Sequence, residues 1–268
     1  MSNVQTSAGV IGIATEGHGS ALPILFLHGV GSDKSVWHPQ LAYFGKTRRA
    51  IAIDYPGYGE SDARDGATRD DFAHAALAAL DALEIRRAHI CGLSLGGVVA
   101  IAIHALAPDR CASLIIADSF AVHPDGQAIH DRSVTASHAM TMRDLAETRA
   151  PLLLGSAASD GITAEVIATM GAIDPAAYRI GAAAVWLADQ RTRVAAIDVP
   201  TLVLVGDEDS LTPPSLSLAL AGMAGSAAPD PPPVTYKMIT YAGHLANLEQ
   251  PVAFNQAIER FLAGMATK

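Results

Sequence analysis

The stretch Ala88-His89-Ile90-Cys91-Gly92-Leu93-Ser94-Leu95-Gly96-Gly97-Val98-Val99 changes character twice over a short distance. His89 to Cys91 reads as a buried strand. Ser94 sits in a turn flanked by glycines, and Leu95 opens an apolar segment of helical character that runs to Ala107, where Pro108 stops it. Gly92-x-Ser94-x-Gly96 is the spacing of a nucleophile elbow, a sharp strand-to-helix turn that exposes a serine hydroxyl. A chain that reverses direction this quickly brings backbones together where a side chain would collide, which is why glycines flank the serine. The motif alone is weak, since glycine and serine are common in ordinary turns. Its weight depends on the rest of the chain.

Outward from the elbow, short apolar runs alternate with helical segments. Strands are expected at Val10–Ala14, Pro23–Leu27, Arg49–Ile53, Ser113–Ala117, Val199–Val205 and Val234–Ile239. Continuous apolar runs of this length fit strands buried on both faces of a parallel sheet. Helices are expected from Trp37 to Tyr43, from Phe72 to Leu83 with acids near its start, from Ser215 to Met223, and from Pro251 through Leu262. This rhythm predicts a doubly wound, mostly parallel α/β sheet. It breaks between 121 and 196, where the text is helical without a clear strand. The expected organisation is a core of residues 1–120 and 197–268, with 121–196 inserted as a helical lid after the strand ending near Ala117.

The 268 residues carry a formal charge of −9, with no basic run longer than Arg48-Arg49 or Arg86-Arg87. Nucleic acid and anionic membrane surfaces, which call for clustered Lys and Arg, are not expected partners. Met1–Ser20 lacks the basic and apolar regions of a secretory leader, and no apolar stretch approaches the ~20 residues of a membrane span. A cytoplasmic chain is therefore expected, with Cys91 and Cys111 as buried free thiols. The pattern of a Cys-x-x-Cys metal or redox site is missing, and neither metal nor cofactor is expected. A homo-oligomer is left open.

The polar residues of interest fall after strand ends, where open α/β sheets bind ligands. His28-Gly29 follows one strand, Ser94 another, Asp207 and Asp209 a third, and His244 the last. On the pieces His28-Gly29-Val30-Gly31, Asp54-x-Pro56-Gly57-x-Gly59-x-Ser61, the elbow, Gly206-x-x-Asp209-x-x-x-Pro213 and Gly243-His244-x-x-x-x-Glu249-x-Pro251, the chain resembles serine-type α/β-hydrolases. Within that fold it is similar to 3-oxoadipate enol-lactonases and related small esterases. The resemblance implies Ser94 as nucleophile, His244 as base and Asp209 as the acid that orients it. Asp118 is the reserve acid, and Asp207 and Glu208 are expected to be solvated turn residues. It also implies an oxyanion hole from the backbone N–H groups of Val30 and Leu95, with His28 bracing the loop. Trp37 is either an acyl-pocket residue or a core aromatic. His123, His130, His138, Met140, Met142 and Trp186 are lid residues to which no contact is assigned.

The expected activity is cleavage of a small-molecule carboxylic ester or lactone through an acyl-enzyme. The same constellation also serves C–C bond hydrolases, perhydrolase-type haloperoxidases and cofactor-free dioxygenases, and the fold also hosts non-catalytic ligand receptors. A serine at 94 speaks against the haloalkane dehalogenases and epoxide hydrolases, which place aspartate there.

Overall fold

The computed structural model describes residues 2–265. Its sheet is built from β1 (Ser2–Thr6), β2 (Gly9–Leu27), β3 (Arg48–Ile53), β4 (Ala88–Leu93), β5 (Cys111–Ala117), β6 (Thr201–Gly206) and β7 (Val234–Ile239). The first helices are α1 (His38–Phe44), α2 (Arg69–Ala82) and α3 (Leu95–Leu106). Five more follow β5: α4 (Gly126–Ala139), α5 (Met142–Leu153), α6 (Asp160–Gly171), α7 (Pro175–Trp186) and α8 (Arg191–Ala195). Then come α9 (Pro214–Met223), the single turn α10 (Ala246–Glu249) and α11 (Pro251–Met265). The strand order is β1-β2-β4-β5-β6-β7, with β3 also paired to β2, and β4 to β7 run parallel. This is the α/β-hydrolase fold read from the sequence.

Alternate residues along the central strands feed two separate cores, the signature of a sheet covered on both sides. Ile90, Leu114 and Ile116 pack with α2 and α3 on one face. Cys91, Leu93, Ile115 and Ala117 pack on the other face with Phe44 of α1 and with Phe254 and Ile258 of α11. Helix α3 lies against β4, β5 and β2 and also meets α2, α7 and α8. That explains why Leu95 to His104 is buried throughout and why the segment is apolar all round. Both cysteines are buried and free. Trp37 is a core residue, with its ring 4.8 Å from that of Phe26 and 6.2 Å from that of Phe254. Helix α2 begins in a capping box in which Thr68 and Asp71 satisfy each other's amides.

One expectation needs correction. Val10–Ala14 and Pro23–Leu27 are the two ends of a single 19-residue element, β2, rather than separate strands divided by a loop. Ile13 lies opposite Ile53 and Glu16 opposite Ala50, while Ile24 lies opposite Ala50 and Leu27 opposite Ile53. The element therefore doubles back around β3 without leaving the ladder. Gly17 makes this feasible at φ +77, where a Cβ would strike the Gly45 carbonyl.

The segment between β5 and β6 is closed at its base. Val122 bridges Asp189, and the Gln190 amide donates to the Ala121 carbonyl at 2.7 Å. The Gln190 side chain donates to the Val98 carbonyl of α3 at 2.6 Å. The five helices thus stand on a stem anchored to the helix that follows the elbow.

Candidate active site

At the elbow, Ser94 adopts φ +56 and ψ −114. Its amide donates to the Ala117 carbonyl at 2.9 Å, and its carbonyl accepts from Ser119 Oγ at 2.9 Å. The turn is therefore held from β5. The glycine argument holds here, because a Cβ on Gly92 would collide with the Gly96 carbonyl. Ser94 Oγ is buried and has no hydrogen-bond partner.

Across the cavity, His244 Nδ1 lies 2.8 Å from Asp209 Oδ2. Asp209 is seated by its own loop. Oδ1 accepts from the amides of Leu211 at 2.8 Å and Thr212 at 2.9 Å, and Oδ2 accepts from Thr212 Oγ1 at 2.6 Å. Burial pushes the Asp209 carboxyl up. The facing His244 ring and the Thr212 hydrogen bonds outweigh it and hold the group below the ordinary carboxylate range. The acid is thus an ionised acceptor fixed against one ring nitrogen, which leaves Nε2 as the ring's other nitrogen. Ser94 and His244 line the same cavity.

The reserve acid does not reach His244. Asp118 is buried, and its Oδ1 accepts from the Gly206 amide at 2.8 Å. Burial, then the nearby Asp209 charge, push its carboxyl well above the usual range. Asp207 stays exposed, as expected. Glu208 is likewise an exposed turn residue, as expected, and its carboxylate also accepts from Ser156 N at 2.6 Å and Ser156 Oγ at 2.9 Å.

Val30 lines the Ser94 cavity from the loop after β2, Leu95 follows the serine at the start of α3, and neither amide donates a hydrogen bond among the described residues. Leu95 is the first residue of α3, so its N–H has no partner within the helix. His28 fixes the other loop. Its Nδ1 lies 2.8 Å from the Gly29 carbonyl, and its Nε2 faces the Tyr55 amide at 3.4 Å. Burial holds the ring below the usual imidazole range, against the pull of Asp54, so it is neutral with Nδ1–H as donor. The Gly29 carbonyl and the Val30 N–H belong to one peptide plane, so this bond orients that N–H. The same loop is pinned further along by Lys34, whose Nζ lies 2.6 Å from Asp54 and 2.9 Å from Glu60. Burial lowers the Lys34 ammonium, but its two acidic partners more than offset this and leave it raised.

The inserted segment meets the His244 loop through backbone staples. The His244 amide donates to the Leu153 carbonyl at 2.9 Å. Glu249 accepts from Gly155 N at 2.7 Å with one oxygen, and from Gly243 N at 3.0 Å and Leu245 N at 3.3 Å with the other. Glu249 thus grips both sides of His244 and the inserted segment at once. None of the lid residues named from the sequence lines the Ser94 cavity. Trp186 stacks on Phe120 with ring centres 5.7 Å apart, Met142 is buried, and His130 pairs with Asp131. The inserted residues that do line it are Arg149, Leu153, Glu165, Val166 and Thr169. Four of these recur at near-helical spacing on α5 and α6, a signal that marks an inward face without saying what it faces. The cavity is tight, about 30 Å³, room for about two waters. Among the described residues no group of three His, Cys, Asp or Glu side chains is arranged to hold a metal ion. No described helix is long and apolar enough to cross a membrane.

Comparison with known proteins agrees with this architecture. The model of the Alpha/beta hydrolase family matches residues 24–257. The chain is 27% identical to 3-oxoadipate enol-lactonase 1 of Acinetobacter baylyi, over 94% of this chain and 92% of that one. Among solved structures, it is similar to a thermophilic esterase from Thermogutta terrifontis, at 28% identity and a TM-score of 0.86 over 98% of both chains. The enol-lactonase of Burkholderia xenovorans shares the fold, with a TM-score of 0.88 at 24% identity over 98% of this chain and 100% of that one.

Proposed function

The chain belongs to the alpha/beta hydrolase family and is a hydrolase of that fold, and we propose that it cleaves a carboxylic ester or lactone through an acyl-enzyme on Ser94. The observation that carries this reading is the Asp209–His244 hydrogen bond beside a buried, unpartnered Ser94 hydroxyl on one cavity. Ser94 Oγ turns toward His244 and attacks the carbonyl carbon as Nε2 takes its proton. The C–O bond to the leaving alcohol breaks, and the imidazolium returns the proton to that oxygen. In a lactone the alcohol stays tethered to the acyl chain. Water then attacks the acyl-enzyme by the same route and frees Ser94. Asp209 stabilises the imidazolium, and the amides of Val30 and Leu95 hold the charge that develops on the carbonyl oxygen.

Residues 121–196 act as a lid in this scheme. The cavity has room for about two waters, so an ester enters with rearrangement of its lining, which includes Leu153 of α5 and Val166 of α6.

The test is a panel of aryl esters, alkyl esters and lactones, run with and without hydrogen peroxide, alongside labelling by a fluorophosphonate. Ester or lactone turnover with a single label on Ser94 supports the reading. Labelling elsewhere, or peroxide-dependent chemistry without hydrolysis, rejects it. A second measurement bears on the oxyanion loop. With His28→Phe the Gly29–Val30 peptide loses its clamp, and kcat should fall by about 10- to 100-fold, less than full removal of an oxyanion donor. KM should move little. Steady-state kinetics on 4-nitrophenyl acetate, with melting temperature as the folding control, reads this out.

A further inference from the structure

The Thr212 side chain is fully buried, and among the described residues both hydrogen-bond partners of its hydroxyl belong to the Asp209–His244 pair. Oγ1 lies 2.6 Å from Asp209 Oδ2 and 3.2 Å from His244 Nδ1, while Nδ1 is itself 2.8 Å from the same Oδ2. The three atoms close a triangle. Their protons follow by elimination. An ionised Asp209 only accepts, so Nδ1 carries its hydrogen and directs it at Oδ2 and, over the longer distance, at Oγ1. The hydroxyl has one hydrogen of its own, and Oδ2 is the acceptor left for it. The backbone holds the hydroxyl in this place. The Thr212 amide donates to the other carboxylate oxygen, Oδ1, at 2.9 Å. Pro213 and Pro214 come next, and a proline restricts the conformation of the residue before it.

Resting on the Ser94 reading, we propose that Thr212 is a positioning residue of the hydrolase, whose hydroxyl holds Asp209 Oδ2 in line with His244 Nδ1. Thr212 does not line the Ser94 cavity, so it acts through the acid and the base rather than on substrate. The need for it comes from the surroundings of the acid. Burial works against the ionised carboxylate, and His244 and then Thr212 offset it. A second buried carboxyl, Asp118, lies close enough to feel the Asp209 charge. A charged acceptor with too few donors is costly in such a site. The clamp is also directional. The amides of Leu211 and Thr212 hold Oδ1 and the hydroxyl holds Oδ2, so the carboxylate plane is gripped at both ends. Rotation that would carry Oδ2 away from Nδ1 breaks the hydroxyl bond first. The carboxylate is therefore already oriented when His244 takes up the Ser94 proton, and needs no reorganisation at that moment. In the sequence, Thr212 falls on an open position of Gly206-x-x-Asp209-x-x-x-Pro213, so the motif does not single it out.

The test measures kcat and KM on 4-nitrophenyl acetate for Thr212→Val, Thr212→Ala and Thr212→Ser, with Thr212→Val also combined with Asp209→Asn. Melting temperature is followed throughout, and the alanine variant decides if valine does not fold. Both variants keep the amide and lose the hydroxyl, and should lower kcat by about 10- to 100-fold, the scale of one hydrogen bond to a charged group. KM should move little. Thr212→Ser restores the hydroxyl and should recover most of the loss. In the Asp209→Asn background Thr212→Val should cost less than about threefold, because the group it acts through is gone. The rate of fluorophosphonate labelling at Ser94, which draws on the same base, should follow kcat in every variant. Three results would each overturn the positioning role while leaving the hydrolase reading intact: kcat unmoved by loss of the hydroxyl, Thr212→Ser as slow as Thr212→Val, or equal losses with and without Asp209→Asn. Absence of turnover and of Ser94 labelling in the unaltered protein would overturn both.

Discussion

Replacing Ser94 by alanine is expected to lower kcat for ester hydrolysis by about a millionfold, the scale on which loss of a serine nucleophile disables the whole Ser-His-Asp unit. The remaining rate over water would come from the backbone N–H groups of Val30 and Leu95, which the substitution does not remove. Its specificity as a test comes from the surroundings of the hydroxyl. Ser94 Oγ makes no hydrogen bond, so its removal breaks none. Ser94 is instead held through its amide and carbonyl, by Ala117 and Ser119, and alanine keeps both contacts. The melting temperature should therefore stay within a few degrees of the parent while activity and fluorophosphonate labelling both vanish. Retention of more than about a thousandth of the parent rate, well above what is left without a nucleophile, would place the reacting group elsewhere.

Asp209→Asn is the second large effect, about 10⁴-fold in kcat, because an amide offers Nδ1 of His244 a donor where it needs an acceptor and so favours the wrong tautomer. Its neighbour supplies the control. Asp207 is exposed, and among the described residues its carboxylate makes a single hydrogen bond, a long 3.4 Å acceptance from the Ala242 amide. Asp207→Asn should stay within about twofold, as surface substitutions usually do. Comparing kcat for the two variants on one ester decides between the registers, and the reverse order of effects would reject Asp209. The acid also has a stability consequence of fixed sign. Its carboxyl is held below the ordinary range, so ionised Asp209 stabilises the fold above the unfolded-state value, and that contribution is lost as pH falls through the folded one.

The elbow, the Asp209 register and the Gly-His turn were legible because each is local turn chemistry, written in glycines and polar residues at fixed short offsets. The central strands β4, β5 and β6 were legible because burial on both faces demands continuous apolar runs, whereas the short polar edge strand β1 carries no such run and was not anticipated. What stayed hidden is what depends on distant parts of the chain meeting. Glu208 is the exposed turn residue that the sequence suggests, but nothing local foretells that Ser156 of the inserted segment uses its carboxylate. Glu249 has a recognisable spacing from His244, but nothing near it announces Gly155. Apolar periodicity identifies α5 and α6 as helices without fixing which face meets the strand ends, so nothing in the sequence singles out Arg149, Leu153 and Val166 as cavity residues. The doubling of β2 around β3 was hidden in the same way, because Glu16–Gly19 carries ordinary turn composition.

The backbone at Ser94, at φ +56 and ψ −114, also sets a ceiling on how robust this protein can be. Non-glycine residues in sparsely populated regions of this kind cost of order 1–3 kcal/mol each. That is a sizeable share of the 5–15 kcal/mol by which a folded domain typically exceeds its unfolded state. A glycine at 94 would relieve most of the cost and, on the proposed reading, leave no nucleophile. Thermal tolerance and turnover therefore compete at one codon, and any heat-hardened descendant of this chain has to find its gain at other positions while keeping a serine that its own fold disfavours.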